Sequence, residues 1–187
     1  MATYSFIYVN RVTPFSDDIL NLVWDKMEKD GILRHLFYDG SNKTREEFFE
    51  FMGRRNTLPF TLFKEAELIG FFWLNSFVGR TAQIHFTAFR NSMGTRRNAT
   101  HFGTKCIQYC LSLKDDNGFF IDTVVGVTPV SNTLARRFNE KAGMIKIGLI
   151  PNYCIMHYEG RIEDGVLTYA TRESYGFDGK AETIWQE

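Results

Sequence analysis

Four groups of residues in this sequence are of types that do chemistry. His85 lies in the alternating run 82–89 (AQIHFTAF), which puts Gln83, Thr87 and Phe89 on its side of the chain and Ile84, Phe86 and Ala88 on the other. An imidazole titrates near neutrality, so His85 is a candidate proton acceptor; a hydrogen-bonded histidine packed between sheet and helix suits the position equally. Asp122 sits inside the mostly apolar run 119–127 (FFIDTVVGV), where a carboxylate needs either a partner or a raised pKa. It is the second candidate base. Residues 90–98 (RNSMGTRRN) carry Arg90, Arg96 and Arg97 and lead into a helix that the pattern starts at Thr100. A basic loop that follows a strand and opens a helix is an anion site, because free backbone N–H groups and the helix dipole converge there. The cysteines offer less: Cys106 and Cys110 are four apart on one helix face, too few for zinc, and read as small core residues, while Cys154 stands alone.

Apart from Cys154, these groups fall within residues 82–143, where the order of elements is strand, basic loop, helix, buried strand, helix. The first helix carries Phe102, Cys106, Ile107, Cys110, Leu111 and Leu113 at helical spacing. The run 119–127 reads as one strand covered on both sides and closed by Pro129. Ser131 and Asn132 can cap the next helix, whose Leu134, Ala135, Phe138 and Ala142 are expected inward, with Gly143 as its stop.

Upstream, 4–9 reads as a strand, and Ile19, Leu20, Val23, Trp24 and Met27 form the stripe of a helix that starts at Ser16-Asp17-Asp18. Residues 32–42 read as an aromatic loop, and 44–55 as a helix with Thr44 as its cap. Strands at 58–64, 68–77 and 82–89, joined by short turns, predict an antiparallel meander. Strands at 144–150 and 166–172 follow, with turn signals at Glu159-Gly160-Arg161 and Asp164-Gly165. The expected fold class is α/β (α+β): one domain over 1–187, with 173–187 a polar extension. Its mixed sheet is mostly antiparallel with one parallel pairing and helices on both faces.

The chain has 187 residues, with 22 basic side chains against 22 acidic. Zero formal charge argues against nucleic acid or an anionic membrane as partner. No secretory signal or run of spanning length is visible, and a reducing cytoplasm is the expected location. Eighteen Phe, eight Tyr and three Trp exceed what a small core needs, so some are expected to line a pocket.

The element order resembles the GNAT acetyltransferase superfamily over residues 3 to about 175. Residues 67–73 (ELIGFFW) resemble its x-x-I-G strand. Residues 132–144 (NTLARRFNEKAGM) are similar to its N-x-x-A-x-x-x-[Y]-E-K-x-G-F segment, and 157–172 (HYEGRIEDGVLTYATR) resemble its dG-x-x-x-D-x-x-x-Y-x-x-x-R close. Residues 82–113 stand where the family binds acetyl-coenzyme A (acetyl-CoA). The resemblance implies an N-acetyltransferase in which an amine attacks the thioester directly, with acetyl-CoA as cosubstrate and a small-molecule or peptide amine as acceptor. A homodimer is left open. The central meander strand and the next parallel strand would part near His85, with the backbone of Phe86, Thr87 and Ala88 holding the pantetheine arm. Arg96, Arg97, Asn98, Ala99, Thr100 and His101 would take the diphosphate, Asn132 the far end of the arm, and the loop with Trp24, Phe37 and Tyr38 would wall the acceptor pocket. Three departures stand against this pattern. The phosphate loop lacks its glycines before Gly103, the general-acid tyrosine falls at Phe138 or Asn139, and the strand glutamate is replaced by Gln83 or His85. They keep an alternative in view, a catalytically inactive GNAT-fold binding or assembly module.

Overall fold

The computed structural model describes residues 4–9, 14–89 and 96–176, except for the side chains of residues 14 and 96–100. Residues 90–95 of the basic loop expected over 90–98, and most of the C-terminal extension, lie outside the described residues. The chain begins with β1 (Tyr4–Tyr8) and α1 (Pro14–Lys29), then a short α2 (Leu33–Leu36) within the aromatic loop and α3 (Arg45–Met52). The meander follows as β2 (Leu58–Lys64), β3 (Glu67–Val78) and β4 (Thr81–Ala88). Next come α4 (Arg96–Ser112), a two-residue hairpin of β5 (Lys114–Asp115) and β6 (Gly118–Phe119), β7 (Thr123–Pro129), α5 (Thr133–Lys141), β8 (Ile145–Met156) and β9 (Arg161–Thr171).

Seven strands form one sheet in the order β1-β2-β3-β4-β7-β9-β8, in which β4 and β7 are parallel and the other neighbours antiparallel. β3 is an interior strand and is apolar from Leu68 to Leu74 because both its faces are covered. On one face Phe72 and Leu74, with Ala82 and Ile84 of β4, pack against Phe102, Cys106, Ile107 and Cys110 of α4. On the other, Phe71 and Trp73 pack against Leu20, Val23, Trp24 and Met27 of α1 and Phe48 and Met52 of α3. Burial pushes the Cys106 and Cys110 thiols well above their usual range, as expected of core cysteines.

Local chemistry sets the helix ends. Thr44 Oγ1 accepts from Glu47 N at 3.3 Å while Glu47 Oε2 accepts from Thr44 N at 3.3 Å, the reciprocal box that starts α3. Asn132 Oδ1 accepts from Ala135 N at 3.1 Å and caps α5.

Four expectations change. The helix placed at Thr100 starts at Arg96, so the arginine pair belongs to its first turn. The run 119–127 is not one strand: Asn117 N bonds to Asp115 Oδ1 at 2.7 Å in the turn of the β5–β6 hairpin, and β7 starts only after Asp122. Asp164-Gly165 is not a turn but lies inside β9. The irregularity is on the facing strand, where residues 151–153 bulge and Asp164 Oδ1 accepts from Asn152 N at 3.0 Å. Leu134 is 80% exposed, and Asn139 takes an inward place on α5, where its amide donates to Thr128 Oγ1 at 3.0 Å. A buried amide with a partner is tolerated.

Candidate active site

β4 and β7 pair only at Thr81↔Thr123, Ala82↔Val124 and Gln83↔Val125. Beyond that point each stays bound to its outer neighbour, β4 to β3 as far as Ala88↔Gly70 and β7 to β9 as far as Pro129↔Gly165. The inner edges therefore separate, and no described strand covers the β7 side of Phe86, Thr87 and Ala88. Backbone groups along such an edge can accept an extended ligand as a further strand would be accepted. On the α4 side, the ring of Phe138 meets Phe86 edge-on with centroids 5.0 Å apart. A Cβ on Gly103 would lie 2.7 Å from that same ring, so glycine lets α4 and α5 approach closely here.

The opposite face of the sheet carries a cavity of about 700 Å³. Period-two alternation turns Gln83 and His85 into it from β4, and the antiparallel pairs Trp73↔His85 and Asn75↔Gln83 bring in the β3 residues. Phe37, Tyr38, Asp39 and Asn42 of the loop, Glu50 and Arg54 of α3 or its end, and Tyr153 and Ile155 of β8 close the walls.

The His85 ring stacks on Trp73 at 4.7 Å and 5°, and its Nε2 lies 3.1 Å from Asn75 Oδ1. Burial pushes the imidazole pKa down to about 4, although the Asp39 charge opposes the shift. The sequence reading of an imidazole titrating near neutrality is thus corrected: His85 is uncharged across the physiological range. Trp73 is 2% exposed, and its indole N–H has no hydrogen-bond partner among the described residues; Phe37, Phe51 and Phe71 surround its ring. Tyr38 Oη lies 3.7 Å from Cys154 Sγ, and burial raises its phenol pKa, so it stays protonated.

The second candidate base sits elsewhere. Asp122, just ahead of β7, is not among the cavity residues. Its Oδ2 pairs with Arg80 Nε at 2.7 Å and its Oδ1 with Arg172. Partial desolvation pushes its carboxyl up, but the Arg80 hydrogen bond and the charges of Arg172 and Arg80 outweigh that and hold it below the usual range. The group therefore binds fewer protons folded than unfolded, and what it contributes to stability is present above the ordinary carboxylate pKa and lost as pH falls through the lowered one. Asp122→Asn is expected to melt earlier than the parent at pH 7, with the gap closing towards pH 3; thermal melts across that range check it.

Of the residues assigned to a cofactor by resemblance, Asn132 caps α5, and His101 lies one turn into α4 with its ring 5.6 Å from Tyr4. Arg96, Arg97, Asn98, Ala99 and Thr100 form the first described turn of α4, their side chains outside the described residues. Phe37 and Tyr38 do line the cavity, whereas Trp24 packs into the core against Phe48. Asn75, Asp39 and Tyr153 were missed. Asn75 alone carried a visible signal, a polar residue ending the apolar run 68–74. Among the described residues no three His, Cys, Asp or Glu side chains gather as a metal site, and no helix is long and apolar enough to cross a membrane.

No family model matches the sequence, and no curated protein matches it. Solved structures do. The spermidine N-acetyltransferase of Vibrio cholerae, solved with CoA and spermine, superposes with a TM-score of 0.69 at 15% identity, over 92% of this chain and 97% of that one. An acetyltransferase from Salmonella typhimurium that modifies the N-terminal serine of ribosomal protein L7/L12 gives 0.69 at 12% identity, over 90% and 95%. The microcin C7 self-immunity acetyltransferase MccE, solved with acetyl-CoA and AMP, gives 0.63 at 15%, over 82% and 87%. The chain has the GNAT fold.

Proposed function

We propose that this protein transfers an acetyl group from acetyl-CoA to an amine on a small molecule or peptide. The observation that carries the reading is the parting of β4 and β7 beyond Gln83↔Val125, next to a cavity floored by His85. The opening offers unpaired strand backbone to an extended arm, and the arginine pair on the first turn of α4 offers charge to a diphosphate. Attack of a neutral amine forms a C–N bond at the thioester carbonyl and breaks the C–S bond. His85 takes the nitrogen's proton, and the departing CoA thiolate is protonated by solvent. The cavity wall carries Asp39, Glu47 and Glu50 against Arg54, a field that draws cationic amines, whose extra proton is lost to solvent before the neutral nitrogen attacks. The neighbouring enzymes are named for amine acceptors, spermidine and a protein N-terminus.

The test is calorimetric titration with acetyl-CoA. Binding is expected in the parent, and Arg96→Ala/Arg97→Ala weakens it more than about tenfold, since each charge-assisted bond contributes about 1.5–3 kcal/mol. The second reading, a binding module without chemistry, draws on the side chains at the family's tyrosine position: Phe138 packs on Phe86, and Asn139 is bound to Thr128. Absence of heat with acetyl-CoA supports the module.

A further inference from the structure

The polar surroundings of His85 are sparse, and their arrangement is chemically specific. Among the described residues Asn75 is its one hydrogen-bond partner, with Nε2 3.1 Å from the amide oxygen Oδ1. A carbonyl oxygen only accepts, so Nε2 must carry the hydrogen, and the lone pair of the neutral ring then resides on Nδ1. Trp73 fixes the ring plane from one side by parallel stacking at 4.7 Å. The ring is therefore held both in plane and in tautomer by two residues of β3, a strand buried on both faces.

We propose that Asn75 is a positioning residue: it holds His85 in the Nε2–H tautomer, so that Nδ1 is the nitrogen that takes the acceptor's proton. The proposal rests on the acetyl-transfer reading above. It accounts for an amide rather than a carboxylate at this place. An aspartate would orient the ring equally well, but its charge would raise the imidazole pKa and carry the acid limb of the reaction up with it. The charged and titratable groups that share the cavity are Tyr38 and Asp39 from the loop, Glu47, Glu50 and Arg54 from the α3 side and Tyr153 from β8; β3 and β4 contribute only uncharged neighbours. Asp39 favours the charged ring, yet burial outweighs it and the ring stays neutral.

The experiment reads the tautomer directly. The chain has four histidines, so long-range proton–nitrogen spectra are simple, and the His85 signals are those lost in His85→Gln. The parent is expected to show Nε2–H at pH 7. Asn75→Leu is expected to mix the tautomers and lower kcat about tenfold with the KM for acetyl-CoA unchanged, less than the roughly hundredfold or more of losing the proton acceptor outright, because the ring itself remains. Asn75→Asp, nearly the same in shape, is expected to raise the His85 pKa by about one unit or more and to move the acid limb of kcat with it. An Nδ1–H tautomer in the parent overturns the proposal, as does a tautomer and pH limb that neither variant moves. The spectra are taken on the resting protein. An Asn75-dependent Nε2–H tautomer in a protein that acetylates no amine would therefore sink the acetyl-transfer reading while leaving the positioning pair intact.

Discussion

Replacing His85 with glutamine is expected to lower kcat by about a hundredfold or more, the range for loss of a positioned general base. The KM for acetyl-CoA should change little, because the groups proposed to hold the cofactor are backbone atoms of Phe86, Thr87 and Ala88 and the first turn of α4. Glutamine is the informative choice. It keeps an amide within reach of Asn75 Oδ1, so Asn75 is not left with an unsatisfied acceptor, and the loss then reflects chemistry more than folding. The pH dependence gives a second readout. With its pKa pushed down to about 4, His85 is a proton acceptor at every pH above that value, and the part of the acid limb of kcat that belongs to His85 should lie near pH 4. The variant should lack this limb. Stability moves with the same group: between about 4 and the ordinary histidine pKa the unfolded chain binds a proton that the folded one does not, so the parent gains stability as pH rises through that window. His85→Gln should lose that gain. Steady-state rates and thermal melts from pH 4 to 8 test both statements, and an unchanged kcat with an intact acid limb would remove His85 from the reaction.

What could be read from the chain follows from which forces are local. Alternation in 82–89 placed His85 on the face opposite Ile84 and Phe86 because side-chain direction in a strand depends on neighbours in sequence alone. The Thr44 cap and the three-strand meander were legible for the same reason. Whether Asp122 had a partner or a raised pKa stayed open in the sequence because its partners, Arg80 and Arg172, arrive from the β3–β4 turn and the end of β9. The pKa of His85 was out of reach, since burial beneath the loop and α3 is a property of packing. Asn75 reaches the ring only through the β3–β4 register, which pairs it with Gln83 and sets it diagonal to His85. On α5, Leu134 was expected inward and lies outside: a nine-residue helix has room for more than one apolar phase, and the one observed buries Asn139 against Thr128 and sends Leu134 outward.

Gly70→Ala is expected to destabilise the fold and weaken acetyl-CoA binding together. Gly70 pairs with Ala88 at the open end of β4, and the ring of Phe102 lies directly over it: an added Cβ would stand 2.1 Å from Phe102 Cε2 and 2.4 Å from Cζ. No van der Waals contact is that short, so something must move. Phe102 is 1% exposed and is set in the same core as Cys106 and Phe72, so its ring has no free volume to enter. The displacement passes to the N-terminal part of α4, which carries Arg96 and Arg97. Overpacking of this kind costs about 1–3 kcal/mol. In a chain of 187 residues that is a fall in Tm of about 3–10 °C. The cofactor effect follows from position: if the helix start holds the diphosphate, tilting it should weaken acetyl-CoA binding several-fold without touching the thioester end. The double variant Gly70→Ala/Phe102→Leu separates contact from propensity, because a smaller side chain makes room for the methyl group and should recover part of both losses. A parent-like Tm for Gly70→Ala would show that ring and strand are not in contact. Recovery of Tm without recovery of binding would detach the first turn of α4 from the cofactor.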